Sequence, residues 1–322
     1  MTSLYSHLSR FSSADWRRAV DTLSAGIHEI DRDATRIWFA FFPLDLHLLL
    51  EGARTEGGAD AERELAQKLG LMGTWRLADQ IDRSHRFLFA HRYWPQVKSA
   101  VSAMTEWPES LPAIITAVAT AATRTARVDR DLLLGMSAIG LMTMRQVGAE
   151  AFAAAPGTIH LADRVRARSP YQVMKLRARD DRQGLLGLLR GIKKRWTVTF
   201  DENDPAATFP LIHNQEIASA AQADKRDYRS RDPRCTPGEG PIPVECRAAS
   251  CGTCWVGVLG GAEKLSPVVE RDEGRRMKVF GYTETDEPQP LIRLSCQTRA
   301  RGAVSVVIPP WNGVYGKFIP RP

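Results

Sequence analysis

Cys246-Arg-Ala-Ala-Ser-Cys251-Gly-Thr-Cys254, with Cys296 far downstream, is the stretch on which the reading of this chain turns. Three thiols share one short loop and a fourth arrives from a distant segment. Such a set can enclose a rhombic pair of irons, two thiolates to each metal, as a [2Fe-2S] cluster requires. The intervening Ala248, Ala249, Ser250, Gly252 and Thr253 are small or polar, so backbone N–H groups can come close to the sulfurs. The rival metal reading is structural zinc, but zinc ribbons present two C-x2-C knuckles and only Cys251 and Cys254 form one here. Cys235 lies off the pattern and is expected to be a free surface thiol.

The spacing is C-x4-C-x2-C…C, that of plant-type ferredoxins. Residues 242–254 resemble the cluster loop of plant and cyanobacterial ferredoxins, where a C-R-A-G-[AS]-C core is typical and where Ala249 here replaces the glycine. Arg293-Leu-Ser-Cys296-Gln297 is similar instead to the R-L-x-C-Q of adrenodoxin-type ferredoxins. Both families share the β-grasp fold, so the resemblance implies a mixed sheet gripping a helix, with one [2Fe-2S] cluster held by Cys246, Cys251, Cys254 and Cys296 near one edge. It covers about residues 195–310. Two insertions depart from the photosynthetic pattern, the polar stretch 224–240 and the surplus 265–290, in which 268–280 is expected to be helical as in adrenodoxin-like proteins.

Working outward, the hydrophobic period is two from Trp196 onward. Strands are expected at 196–200, 207–211, 255–259 and 303–308, with a helix at 214–223. This is an α+β unit, residues 196–322, ending in a C-terminal tail. Trp255 follows a ligand directly and reads first as a core anchor, second as a shield of the cluster from water.

Residues 1–159 lack β-branched alternation and carry helical stripes. Trp16, Val20, Leu23, Ile27 and Ile30 recur at helical spacing behind the N-caps Ser12 and Ser13. Further helices are expected at 33–42, 44–51, 59–69, 74–91, 95–106, 112–124 and 128–154, with Gly57 and Gly58 in a loop. The expected fold is thus two domains, an all-α N-terminal domain (1–159) and a C-terminal β-grasp domain (196–322). Between them, residues 160–195 hold eleven Lys and Arg against three Asp, interleaved with leucines, and read as a basic amphipathic connector.

The whole chain, 322 residues with net charge +7 and 25% charged residues, has the composition of a globular protein. Residues 1–30 carry no basic run followed by an apolar core, so no secretion signal is expected. Sparse cysteines and the need for free thiolates point to a reducing, cytoplasmic compartment, with peripheral membrane association open at the connector.

His28, His47, His85 and His91 show no metal-ligand or haem-attachment spacing, and His85 and His91 would lie on different faces of a helix; they read as structural. No G-x-G-x-x-G or Walker loop follows a strand, so a separate reductase and acceptor are expected as redox partners. The connector reads as a solvated face, a dock for an acidic partner, or an anionic membrane surface; nucleic acid is not expected. Three functions follow in order: a single-electron carrier without substrate turnover whose helical domain selects the partner, an electron-transfer subunit or domain of an oxidoreductase, and a redox-responsive binding protein.

Overall fold

The protein's structure is a computed structural model that describes residues 3–41, 44–69, 71, 76–180, 194–280, 282 and 289–308. The chain divides into two compact units. One comprises residues 1–47 and 76–170, the other residues 48–75 and 171–322.

The first unit is helical. Ser12 starts α2 (Ser13–Leu23) with a capping box: its hydroxyl accepts the Asp15 N–H at 3.2 Å while the Asp15 carboxylate accepts the Ser12 N–H at 2.9 Å. Before it lies α1 (Leu4–Leu8), and after a 3-10 turn at Ser24–Gly26 comes α3 (Glu29–Phe41). The expected single stripe to Ile30 therefore breaks at Gly26. Helix α4 (Leu44–Lys68), which passes into the second unit at Leu48, merges two expected helices, and Gly58, at φ 75° and ψ −167°, replaces the loop with a single break. Next in the chain are α5 (Trp94–Ser102), α6 (Leu111–Ala126), α7 (Asp131–Val147), α8 (Ala149–Ala154) and α9 (Asp163–Arg166).

Helix α7 is the centre of this unit. Every residue from Leu133 to Arg145 is buried, as expected of a helix that is apolar all round. It packs on α3, α5, α6 and α8. The expected helix 74–91 is replaced, within its described part, by 3-10 turns at Leu77–Gln80 and Phe89–Tyr93. A tertiary contact overrides the helical pattern there. The buried carboxylate of Asp31 accepts the N–H groups of Phe89 at 2.6 Å and Ala90 at 2.7 Å, which an α-helix would have turned toward its own carbonyls.

The second unit holds a five-stranded sheet of order β2-β1-β7-β4-β5 and a two-stranded one, β3-β6. The strands are β1 (Arg195–Thr199), β2 (Thr208–Ile212), β3 (Gln215–Glu216), β4 (Trp255–Gly260), β5 (Ile292–Leu294), β6 (Arg299–Ala300) and β7 (Val304–Val307). Strands β1 and β7 pair in parallel and every other pair is antiparallel. Helices α10 (Pro170–Leu176), α11 (Ile217–Ala221) and α12 (Arg275–Phe280), with α4 from Leu48 onward, also belong to this unit. Helix α11 buries Ile217, Ala218, Ala220 and Ala221 and packs on β2. A mixed sheet closed around a small buried helix is a β-grasp-like fold, and the molecule has the two-domain, all-α plus α+β composition expected.

The expected helix 214–223 loses its first residues to β3 because Gln215 and Glu216 pair with Ala300 and Arg299. The insertion 224–240 is folded onto the edge of the sheet. Arg226 donates to the carbonyls of Ala206 at 2.6 Å and Thr208 at 2.7 Å, and Tyr228 meets Phe200 edge to face. Occupying the Thr208 carbonyl at the start of edge strand β2 guards that end of it against pairing with another chain.

Of the basic connector, residues 181–193 lie outside the described residues. Its described part forms two short helices, α9 and α10. Arg177 pairs with Glu202 through two bonds of 2.8 and 2.9 Å, while Arg164, Arg166, Lys175 and Arg179 are exposed. Among the described residues no helix is long and apolar enough to cross a membrane.

Candidate metal centre

The cluster loop precedes β4, and the strand ladder explains how a distant cysteine reaches it. Trp255 of β4 pairs with Leu294 of β5, so Cys254 and Cys296 leave the same end of one antiparallel ladder. The Ser295 N–H donates to the Cys254 carbonyl at 3.0 Å and fixes that end.

Within the loop the backbone turns its N–H groups inward. The sulfur of Cys246 accepts from Ala248 at 3.5 Å, Ser250 at 3.4 Å and Cys251 at 3.3 Å. The Cys251 sulfur lies 2.6 Å from the Thr253 hydroxyl, and Gln297 donates to the Cys296 sulfur at 3.5 Å. This wrapping uses left-handed backbone at Arg247 (φ 52°), Ala249 (φ 53°) and Gly252 (φ 73°). Non-glycine residues take that conformation at a cost of roughly 1–2 kcal/mol each. Gly252 has a second constraint, because a Cβ there would sit 2.0 Å from the Phe280 ring.

The sulfurs associate in two pairs, Cys246 with Cys251 and Cys254 with Cys296, and Cys246 acts electrostatically on Cys296. Burial pushes the Cys246 thiol up, but hydrogen bonds from Ser250, Ala248 and Cys251 outweigh it and hold it at about 6. The bond from Cys254 brings Cys296 down to about 7 against its burial, helped by Gln297 and the Ala249 N–H. Cys254 itself is raised, first by its pairing with Cys296 and then by burial. Among the described residues no three His, Cys, Asp or Glu side chains converge on one point as ligands of a single ion. Two pairs of soft sulfur donors, ringed by N–H groups that stabilise thiolate charge, fit a pair of irons.

The exposure of the four is graded. Cys246 and Cys251 are partly exposed, whereas Cys254 and Cys296 are buried. Behind them Trp255, fully buried, meets Phe280 and Tyr282 edge to face at 5.4 and 5.1 Å, so its place is that of a core anchor. Cys235 is buried rather than on the surface; its thiol donates to the Pro241 carbonyl at 3.4 Å and burial pushes it up to about 12. The folded insertion that carries it accounts for the difference.

One residue beside the centre escaped sequence reasoning. Glu273, wholly buried in a π-turn (Glu270–Gly274), receives both arms of Arg293 at 2.9 Å, the Leu294 N–H at 2.6 Å and the Thr298 hydroxyl at 3.4 Å. It therefore ties the insertion 265–290 to the strand that presents Cys296. Arg293 stood out within the motif, but a lone Glu among charged neighbours carries no mark of its partner. The histidines also differ from expectation. His85 and His91 touch, Nδ1 to Nδ1 at 3.0 Å, because their segment is not a continuous helix.

Residues 237–301, which contain all four cysteines, match the family model of the 2Fe-2S iron-sulfur cluster binding domain. No curated protein and no solved structure matches the chain. The C-terminal part of this chain thus carries a ferredoxin-type [2Fe-2S] domain, which holds one [2Fe-2S] cluster.

Proposed function

We propose that the chain is a single-electron carrier in which Cys246, Cys251, Cys254 and Cys296 ligate the cluster and the helical unit selects the redox partner. The observation that supports the ligand set is the pairing of four sulfurs at the end of the β4–β5 ladder, with loop N–H groups directed at them. When bound, the cluster supplies reversible one-electron chemistry. The chain's own residues do the rest. Cys246 and Cys251 form the more exposed edge, where a donor or acceptor approaches most closely. Cys254, Cys296 and Trp255 keep water from the opposite side. The N–H donors stabilise the added negative charge and so set the potential.

The donor and acceptor are separate proteins in this reading. The exposed Arg164, Arg166, Lys175 and Arg179 favour an acidic partner through electrostatic steering. Transfer rates to such a partner should fall as ionic strength rises.

The iron-replete full chain should be red-brown, bleach with dithionite and give a rhombic EPR signal on reduction. A colourless, zinc-loaded product would sink the proposal. Metal, haem and flavin analysis of the same sample tests the enzyme alternative: two irons and two sulfides per chain with nothing further support the carrier.

A further inference from the structure

The cluster loop holds an alanine where its geometry favours glycine. Ala249 is left-handed at φ 53°, a conformation that persists in a non-glycine residue only when its surroundings over-determine it. Two restraints meet at the peptide group that joins it to Ser250. The Ala249 carbonyl accepts the Arg276 Nε–H at 2.8 Å, and the N–H of that same peptide group, that of Ser250, donates to the Cys246 sulfur at 3.4 Å. The peptide oxygen is drawn outward and the amide proton inward. Gln297 acts likewise on the earlier left-handed residue, donating to the Arg247 carbonyl at 3.3 Å.

Arg276 is well placed for this. It sits on α12, whose Met277 and Phe280 are buried, and Phe280 packs against Gly252 of the same loop. One turn earlier, Glu273 ties the segment to the strand carrying Cys296. The guanidinium is thus held by packing at the backbone it contacts.

From this geometry we infer that Arg276 is a positioning residue for the cluster, clamping the Ala249–Ser250 peptide so that the Ser250 N–H is presented to the Cys246 sulfur and raising the reduction potential. The inference rests on the ligand assignment proposed above. Both effects have one sign. An N–H directed at a ligand sulfur and a nearby positive charge each favour the reduced, more negative form. A planar, permanently charged fork suits this better than a flexible ammonium.

The test compares the full-length wild type with R276A, R276Q and R276K after cluster reconstitution. Iron and sulfide content, midpoint potential and the reduced-state EPR g values are measured for each. Loaded R276A and R276Q should have lower potentials than the wild type. R276A should also show shifted g values and lose one exchangeable-proton coupling in pulsed EPR, while R276K restores most of both. Wild-type potential and g values in a fully loaded R276A overturn the inference. If R276A does not retain its cluster, R276Q and R276K decide: displacement of R276Q with rescue in R276K supports the clamp, and wild-type values in both overturn it. A wild-type chain that takes up no iron and sulfide overturns the ligand assignment, and the clamp with it, before any potential is read.

Discussion

Cys251 and Cys296 each supply half of a sulfur pair, so replacing either with serine should abolish stable cluster uptake, read as loss of visible absorption and of iron and sulfide. Cys235→Ser should leave the iron content at the wild-type level, because its buried thiol is engaged by the Pro241 carbonyl. Gly252→Ala meets two obstacles at once, a positive φ and the Phe280 ring. Its expected result is poor cluster retention, with the half-life of the visible bands as the measure. The buried Glu273–Arg293 pair is a different case. Glu273→Gln removes one charge and leaves Arg293 buried without its counter-ion, a change that costs about 3–5 kcal/mol in such pairs. Chemical denaturation of the loaded chain should show a lower midpoint, and an unchanged midpoint would count against the pair.

Among the elements, α2 depends on local chemistry and the segment 77–93 on distant contacts. The Ser12 capping box satisfies N–H groups that the helix leaves open, so Ser12→Ala should cost about 1 kcal/mol, visible as a small drop in thermal midpoint. The hydrophobic stripe and the cap were both legible in the sequence, and α2 begins where they place it. The 3-10 turns at 77–80 and 89–93 were not legible. Nothing adjacent to Phe89 and Ala90 signals that Asp31, 58 positions earlier in the chain, will take their amide protons. Strands β5 and β6 escaped for a related reason. At three and two residues they are too short to show alternation, and they exist through pairing with β4 and β3.

Taken as a whole molecule, the helical unit carries a built-in sensitivity to acid. His85 and His91 form a buried contact beside Trp94, and burial is the first cause that keeps each neutral, holding His91 at about 4 and His85 well below its usual value. His47 is also brought to about 4 by burial. In the unfolded chain these imidazoles titrate near 6.5, so between that pH and about 4 the unfolded state binds more protons. Stability should therefore be complete above pH 6.5 and decline as pH falls through this window. Urea midpoints of the far-ultraviolet helical signal at pH 7.5 and pH 5 should differ in that direction. A midpoint unmoved by pH would show that the histidines are not buried neutral.

By itself the sequence determined the kind of metal centre, the class of each unit and the strands β1, β2, β4 and β7. Those features depend on short-range spacing, on periodicity and on residue chemistry. Only the tertiary structure decided the pairing of the four sulfurs, the burial of Cys235, the tie from Glu273 and the clamp from Arg276. Each of these is a contact between residues remote in the chain, and no local pattern encodes which remote group will arrive.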